Sequence, residues 1–138
     1  MSTSKRVLAG LLALLVALFG GWLWGASGKR ELDRTVQALA VRSDLLEARG
    51  AVLEARVHLY NINFGNASRA LEHARTVLGR VGARPRAAGS PDEAKGLDLA
   101  LAKIGEAQQL TNQLDQTANS RAADAVTAIE GVLGTVTN

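Results

Sequence analysis

Two histidines and one glutamate are the side chains whose types and spacing could bind a metal ion. His58 and His73 are the only histidines of the sequence, and Glu54 lies one helical turn before His58. If a turn falls at Gly65, the two histidines can face each other across a helical hairpin. Imidazole and carboxylate groups in such positions can bind transition metals. The alternative is two surface histidines. The sequence favours this alternative, so we predict no metal site and no cofactor.

No set of residues has the pattern of a catalytic centre. The chain has no cysteine, no glycine-rich phosphate-binding loop and no nucleophile elbow. No pair of Asp or Glu residues marks an acid–base centre either. We therefore predict that the protein is not an enzyme.

A basic segment is a candidate for contact with a partner. No acidic residue occurs between Glu72 and Asp92, and this part of the chain contains Arg75, Arg80, Arg84 and Arg86. Each basic residue near an anionic lipid surface contributes about 1 kcal/mol. The predicted helix lengths place the segment roughly 25 Å from a bilayer, beyond a Debye length of about 8 Å. We therefore favour an acidic protein partner over lipid, with a plain soluble loop as the other interpretation.

The distribution of charge argues against nucleic-acid binding. The sequence contains 16 Lys and Arg residues against 13 Asp and Glu residues. Basic residues outnumber acidic ones between residues 27 and 86, and acidic residues outnumber basic ones between 92 and 138. No dense basic stripe is interleaved with aromatic residues, so nucleic acid is not a predicted partner. The two oppositely charged halves can attract each other within one fold or between two copies.

The elements that carry these residues are predicted to be helices. The sequence has few aromatic residues and many Ala, Leu, Arg and Glu residues, which is typical of an all-α protein. Apolar periodicity predicts helices at about 31–62, 67–81, 91–117 and 120–136. Short connections would join them as two helical hairpins, which pack as an antiparallel four-helix bundle over residues 27–138. A capping box is predicted at the third helix, where Ser90 caps and Glu93 completes the box.

The first helix of the bundle is long and resembles a coiled-coil strand. Positions spaced alternately by four and three residues form a heptad seam. Arginines follow one side of this seam and glutamates the other. We define the heptad seam as Leu32, Val36, Leu39, Ser43, Leu46, Gly50, Leu53, Val57, Tyr60 and Phe64.

An uncharged segment, Val7–Ala26, precedes the bundle and is long enough to span a membrane. A helix of that length covers about 30 Å, the thickness of the hydrocarbon core. The residues expected to anchor it at the interfaces are Lys5, Arg6, Trp22 and Trp24. The short tail, residues 1–6, favours a cytoplasmic amino terminus and an exported, periplasmic or extracytoplasmic bundle. The alternatives are the opposite orientation and a cleaved secretory signal, for which Gly25-Ala26-Ser27 supplies small residues.

Small residues recur every fourth position within the predicted membrane helix. Such a stripe allows two membrane helices to approach closely, which predicts dimerisation or docking to another membrane helix. The alternative is that alanine is simply frequent there. The stripe comprises Ala9, Ala13, Ala17, Gly21 and Gly25.

Together these features predict a membrane-anchored interaction or scaffold protein of the cell envelope. Its bundle would dock partner proteins or self-associate. The alternative is a ligand-sensing periplasmic four-helix bundle that acts through a partner. Polar residues of the third helix could line its site, namely Gln108, Gln109, Thr111 and Asn112. A secreted carrier of a metal or another ligand is a third possibility.

Overall fold

The computed structural model describes residues 3–84 and 90–136, with side chains described from residue 32 onward. The described residues form four α-helices and no strand. Their bounds are Thr3–Tyr60 for α1, Phe64–Ala83 for α2, Pro91–Asn112 for α3 and Ala118–Val136 for α4. The chain divides into two compact units, Met1–Ala38 and Leu39–Asn138. In the first unit, the side chains of residues 32–38 are all exposed.

Among the residues whose side chains are described, none of the helices has the length and hydropathy that a membrane span requires. The predicted membrane segment, Val7–Ala26, lies outside the residues whose side chains are described.

The turn between α1 and α2 is shorter than the sequence suggested. Ile62 occupies the left-handed region with φ of 57°, whereas no described glycine has a positive φ. The Asn63 side chain caps α2 by accepting a hydrogen bond from the Asn66 amide at 3.2 Å. The turn therefore lies before Gly65 rather than at it, because Asn63 caps α2 and Gly65 is already helical.

The capping box at the start of α3 is confirmed. The Glu93 amide donates to Ser90 Oγ at 3.2 Å, and the Ser90 amide donates to Glu93 Oε2 at 3.3 Å. Pro91 occupies the first turn, where its missing amide proton costs nothing.

The α3–α4 turn is organised by one aspartate. The helix predicted over 91–117 ends at Asn112, and Leu114 takes a left-handed φ of 58°. Both the amide and the hydroxyl of Thr117 donate to Asp115 Oδ1 at 2.8 Å. These two hydrogen bonds favour the carboxylate and hold the pKa of Asp115 below its ordinary value.

Residues from all four helices share one hydrophobic core within Leu39–Asn138. It is built mainly from Ala, Val and Leu, which lets the helices approach closely. The buried face of α2 comprises Ala67, Ala70, Leu71, Ala74, Val77, Leu78 and Val81.

Successive helices contact each other in opposite chain directions. Between α2 and α3, Glu72 pairs with Gln108, whereas Gly82 approaches Leu97 nearer the connecting segment. The contacts from α1 to α2 and from α1 to α4 also join helices that run in opposite directions. The four helices therefore pack as a helical bundle.

Glycine permits the closest approach of α3 to α4. A Cβ atom placed on Gly96 would lie 2.7 Å from Val132 Cγ2, closer than side chains can pack. No such neighbour lies within 4 Å of a Cβ placed on Gly50 of α1. The two glycines therefore have different roles, and only Gly96 is required by packing.

Candidate protein-interaction site

α1 carries apolar residues on two opposite faces, and only one of them enters the core. The buried face comprises Leu45, Ala48, Ala51, Val52, Ala55 and Leu59. The heptad seam lies on the other face of the helix, because Leu46 follows Leu45 by one residue and Gly50 follows Ala48 by two. Steps of one and two residues turn the helix by about 100° and about 200°, so the seam lies on average opposite the buried face. The sequence revealed an apolar heptad but not which of two overlapping heptads the bundle buries.

Most of the heptad seam is therefore exposed. In the unit Leu39–Asn138, the exposed fractions are 61% for Leu39, 49% for Leu46, 59% for Val57 and 84% for Tyr60. The small seam residues between them, Ser43 and Gly50, are exposed as well. We call these six residues the outer stripe.

The remaining members of the heptad seam lie elsewhere. Leu53 and Phe64 are partly buried against the core. In the unit Met1–Ala38, Leu32 and Val36 are exposed.

Charged side chains border the outer stripe and tie α1 to its two neighbours. On one side, Glu47 Oε1 lies 3.0 Å from His73 Nε2 and 3.6 Å from Arg80 Nη2, both on α2. On the other side, Arg49 Nε donates to Glu130 Oε1 of α4 at 2.7 Å. These contacts are consistent with the rotation that burial of Leu45 and Val52 gives α1, in which its second apolar face points away from the core.

A further contact joins α1 to the first turn of α4. Arg56 Nε donates to the Asn119 side-chain oxygen at 2.9 Å, and Asn119 Nδ2 donates back to the Arg56 carbonyl at 3.3 Å. Two reciprocal hydrogen bonds thus join α1 to the start of α4.

Two of the basic-segment arginines contact the chain's own carboxylates. Arg80 lies beside Glu47, and Arg84 Nη2 lies 2.6 Å from Asp44 Oδ2. This second contact is an ion pair without the alignment of a hydrogen bond, and Arg84 Nη1 is buried with no hydrogen-bond partner among the described residues. Arg75 is exposed, and Arg86 lies outside the described residues. An acidic partner would therefore compete with Glu47 and Asp44 for two of these arginines.

The candidate metal ligands contact different carboxylates. His58 Nε2 lies 3.6 Å from Glu54 Oε1 within α1, whereas His73 Nε2 lies 3.0 Å from Glu47 Oε1. Within residues 32–84 and 90–136, no three His, Asp or Glu residues are grouped in a way that could hold a metal ion. The expected approach of His58 and His73 across the hairpin thus does not gather a ligand set.

An open polar groove of about 800 Å³ lies between α2 and α3. Gln108, Gln109 and Asn112 line it, as the ligand-site hypothesis expected, but Thr111 is buried and donates to the Ala107 carbonyl at 2.7 Å. Gln108 Nε2 donates to Glu72 Oε2 at 2.7 Å. The sequence did not indicate that residues of α2 line this groove, because these residues resemble those of any polar helix surface. They are Ser68, Arg69, Glu72 and Arg75.

The residues proposed to act in the membrane lie outside the described side chains. They are the interfacial anchors Lys5, Arg6, Trp22 and Trp24 and the small-residue stripe Ala9, Ala13, Ala17, Gly21 and Gly25. Their roles stay predictions from the sequence.

Comparisons with protein-family models, with curated proteins and with solved structures find no match to this chain. The chemistry and exposure of the described residues therefore carry the functional argument. They define an all-α helical bundle with an uncovered apolar face on α1.

Proposed function

We propose that this chain is a membrane-anchored interaction protein. A single membrane-spanning helix, Val7–Ala26, would be followed by two helical hairpins packed as an antiparallel four-helix bundle. The bundle would be held outside the cytoplasm, at the surface of the membrane, and would bind another protein through the outer stripe.

The observation that supports binding is the clustering of exposed apolar side chains. Four of the large apolar residues exposed in the described chain lie on the outer stripe, and together with Ser43 and Gly50 they follow one face of α1. Single exposed leucines are common on monomeric proteins, but contiguous apolar surfaces mark interaction sites. The bundle already has a complete core on the opposite face of α1. The stripe is therefore surplus to folding, and burial by a partner explains it.

The support for the membrane anchor is the sequence of residues 7–26. Twenty uncharged residues match the length of a spanning helix, and basic and tryptophan residues occur at its ends.

Extraction of membranes at alkaline pH tests the anchor. We expect the full chain to stay with the lipid and to retain its amino-terminal residues. The Leu15→Asp variant should be released in part, since one acidic residue at the centre of a span costs about 2.5–3.5 kcal/mol. Lys95→Asp provides the matched control, because it adds the same side chain at an exposed position of α3. A soluble mature chain that starts near Gly28 would contradict the proposal.

The groove between α2 and α3 favours a second candidate function, ligand sensing through a partner. Its open shape and its mixture of Arg69, Glu72 and Gln108 suit a small polar molecule. A thermal-shift screen of the full chain with small polar metabolites tests it. Stabilisation that disappears in Gln108→Ala supports the sensor, whereas the absence of any stabilising compound leaves the interaction protein as the better proposal.

A further inference from the structure

The outer stripe and Leu53 together form two rows with the heptad spacing found in paired helices. Leu39, Leu46 and Leu53 recur every seventh residue, and Tyr60 continues this row. The second row, between them, contains Ser43, Gly50 and Val57. Leucine in the d row with β-branched residues in the a row is the pattern of parallel two-stranded coiled coils. Val57 fits this pattern, whereas Ser43 and Gly50 are small residues in the same row. Leu53 is already partly buried, so the row also contacts the edge of its own core.

The charges beside the stripe are ordered as well. Arg42, Arg49 and Arg56 occupy the g positions, each directly before a residue of the a row. Glu47 and Glu54 occupy the e positions, each directly after a leucine. In a parallel pair, a g residue faces the e residue five positions later on the other helix. Arg42 therefore faces Glu47, and Arg49 faces Glu54.

We propose that a second copy of this chain covers the outer stripe, with the two α1 helices parallel and in register. This proposal rests on the proposed interaction function and names its partner. Charge complementarity selects the arrangement. An antiparallel pair would set arginines against arginines and glutamates against glutamates, whereas the parallel pair sets opposite charges together in both rows.

The bundle leaves these charges available for a second helix. Arg42 is exposed, and the Glu54 side chain is 66% exposed. The Glu47 side chain keeps 45% of its surface exposed although it contacts His73 and Arg80. Arg49 keeps 38% of its side-chain surface exposed although it binds Glu130. Its guanidinium has five N–H donors, so it can bind a second carboxylate without releasing the first.

The positions of the two apolar faces make such a dimer sterically possible. Leu45, Val52 and Leu59 face the core on the opposite side of α1 from the stripe. Two α1 helices can therefore meet along their stripes while each bundle lies on the far side of its own helix. Ser43 and Gly50 remove bulk at the centre of the contact, and a Cβ placed on Gly50 meets nothing within 4 Å. The two helices can accordingly approach closely there.

Disulfide crosslinking of single-cysteine variants tests the pairing, because the native chain has no cysteine. The full chain is placed in lipid vesicles and mildly oxidised. Leu39→Cys, Leu46→Cys and Tyr60→Cys should each form a homodimer at least tenfold faster than Leu99→Cys. Leu99 is the matched control, since it is a leucine on α3 that is 51% exposed.

The pattern of crosslinks decides the direction and the register. Parallel helices crosslink equal positions at both ends of the stripe. Crosslinks only between Leu39→Cys chains and Tyr60→Cys chains would overturn the parallel arrangement. Crosslinking of Leu46→Cys no faster than the Leu99→Cys control would overturn the second copy as the occupant.

Charge reversal separates stripe pairing from association through the membrane segment. In the Leu46→Cys background, Arg42→Glu should slow crosslinking severalfold, and addition of Glu47→Arg should restore much of it. Unchanged rates in Arg42→Glu would overturn the proposed facing of these charges. Circular dichroism of each variant confirms that the helices are retained.

Failure of the dimer and failure of the interaction function give different results. A photo-crosslinker at residue 46 that captures only a different protein in native membranes would overturn the dimer and leave the interaction function standing. A photo-crosslinker there that captures no protein would contradict both.

Discussion

Replacement of two glycines by alanine should change the stability of the bundle in opposite directions. Gly96 faces α4, where an added Cβ would lie 2.7 Å from Val132 Cγ2. Gly50 faces away from the core with nothing within 4 Å of an added Cβ. The same chemical change thus meets a crowded contact at one position and open space at the other.

The expected magnitudes follow from helix propensity and packing. Alanine stabilises a helix interior by about 0.5–1 kcal/mol relative to glycine, so Gly50→Ala should be more stable by this amount. Gly96→Ala gains the same propensity but overpacks the α3–α4 contact, which costs about 1–3 kcal/mol. Val132 is buried and β-branched, and its side chain therefore has little freedom to yield. The two variants should differ by about 1–3 kcal/mol in their free energies of unfolding.

Urea unfolding of the full chain in detergent, followed by circular dichroism, measures both variants. Gly105→Ala is a second open-space control, because no atom lies within 4 Å of its added Cβ. A double variant, Gly96→Ala with Val132→Ala, removes the collision and should show a coupling energy in a double-mutant cycle. If Gly96→Ala stabilised the chain as much as Gly50→Ala and showed no coupling to Val132, the close approach of α3 to α4 would be refuted.

Three further predictions concern the turns. Ser90→Ala should lower the free energy of unfolding by about 1 kcal/mol because it removes the helix cap, and Ser90→Thr should retain most of it; equal losses in urea titrations would contradict the capping role. Ile62→Asn should raise the stability by about 1 kcal/mol, since a β-branched residue at φ of 57° is strained and asparagine tolerates this region; no gain in thermal unfolding would contradict this reading. Asp115→Asn should lower the melting temperature at neutral pH. The stabilisation from the lowered pKa of Asp115 is complete above its ordinary value of 3.8 and is lost as the pH falls through the lowered value, so the difference from the native chain should shrink in strong acid.

Local signals near helix ends were read correctly where they involve adjacent residues. The capping box of Ser90 and Glu93 requires only neighbouring backbone, and it forms as expected. The α1–α2 turn was predicted less accurately. Asn63 and Asn66 are both good helix caps, and the sequence alone does not specify which of them begins α2. The left-handed conformation then falls on Ile62, a residue type that gives no signal for it.

The orientation of α1 could not be predicted from periodicity. Leu45 and Leu46 start two overlapping heptads, and each is apolar enough to form a core. Packing against helices distant in sequence decides between them, because Leu45, Val52 and Leu59 enter the core that α2, α3 and α4 share. The rows of arginines and glutamates beside the heptad seam are evident in the sequence. Their partners on α2 and α4 depend on the fold and could not be predicted from the sequence alone.

Chemical labelling in intact membranes tests most directly whether the outer stripe is covered by another protein. A membrane-permeant maleimide is applied to the full chain carrying Leu46→Cys or Leu99→Cys, first in membranes and then after dilution in detergent. We predict that residue 46 reacts slowly in membranes and rapidly after dilution, whereas residue 99 reacts rapidly in both. Equal and rapid labelling of the two positions in membranes would show an uncovered stripe and would contradict the interaction function.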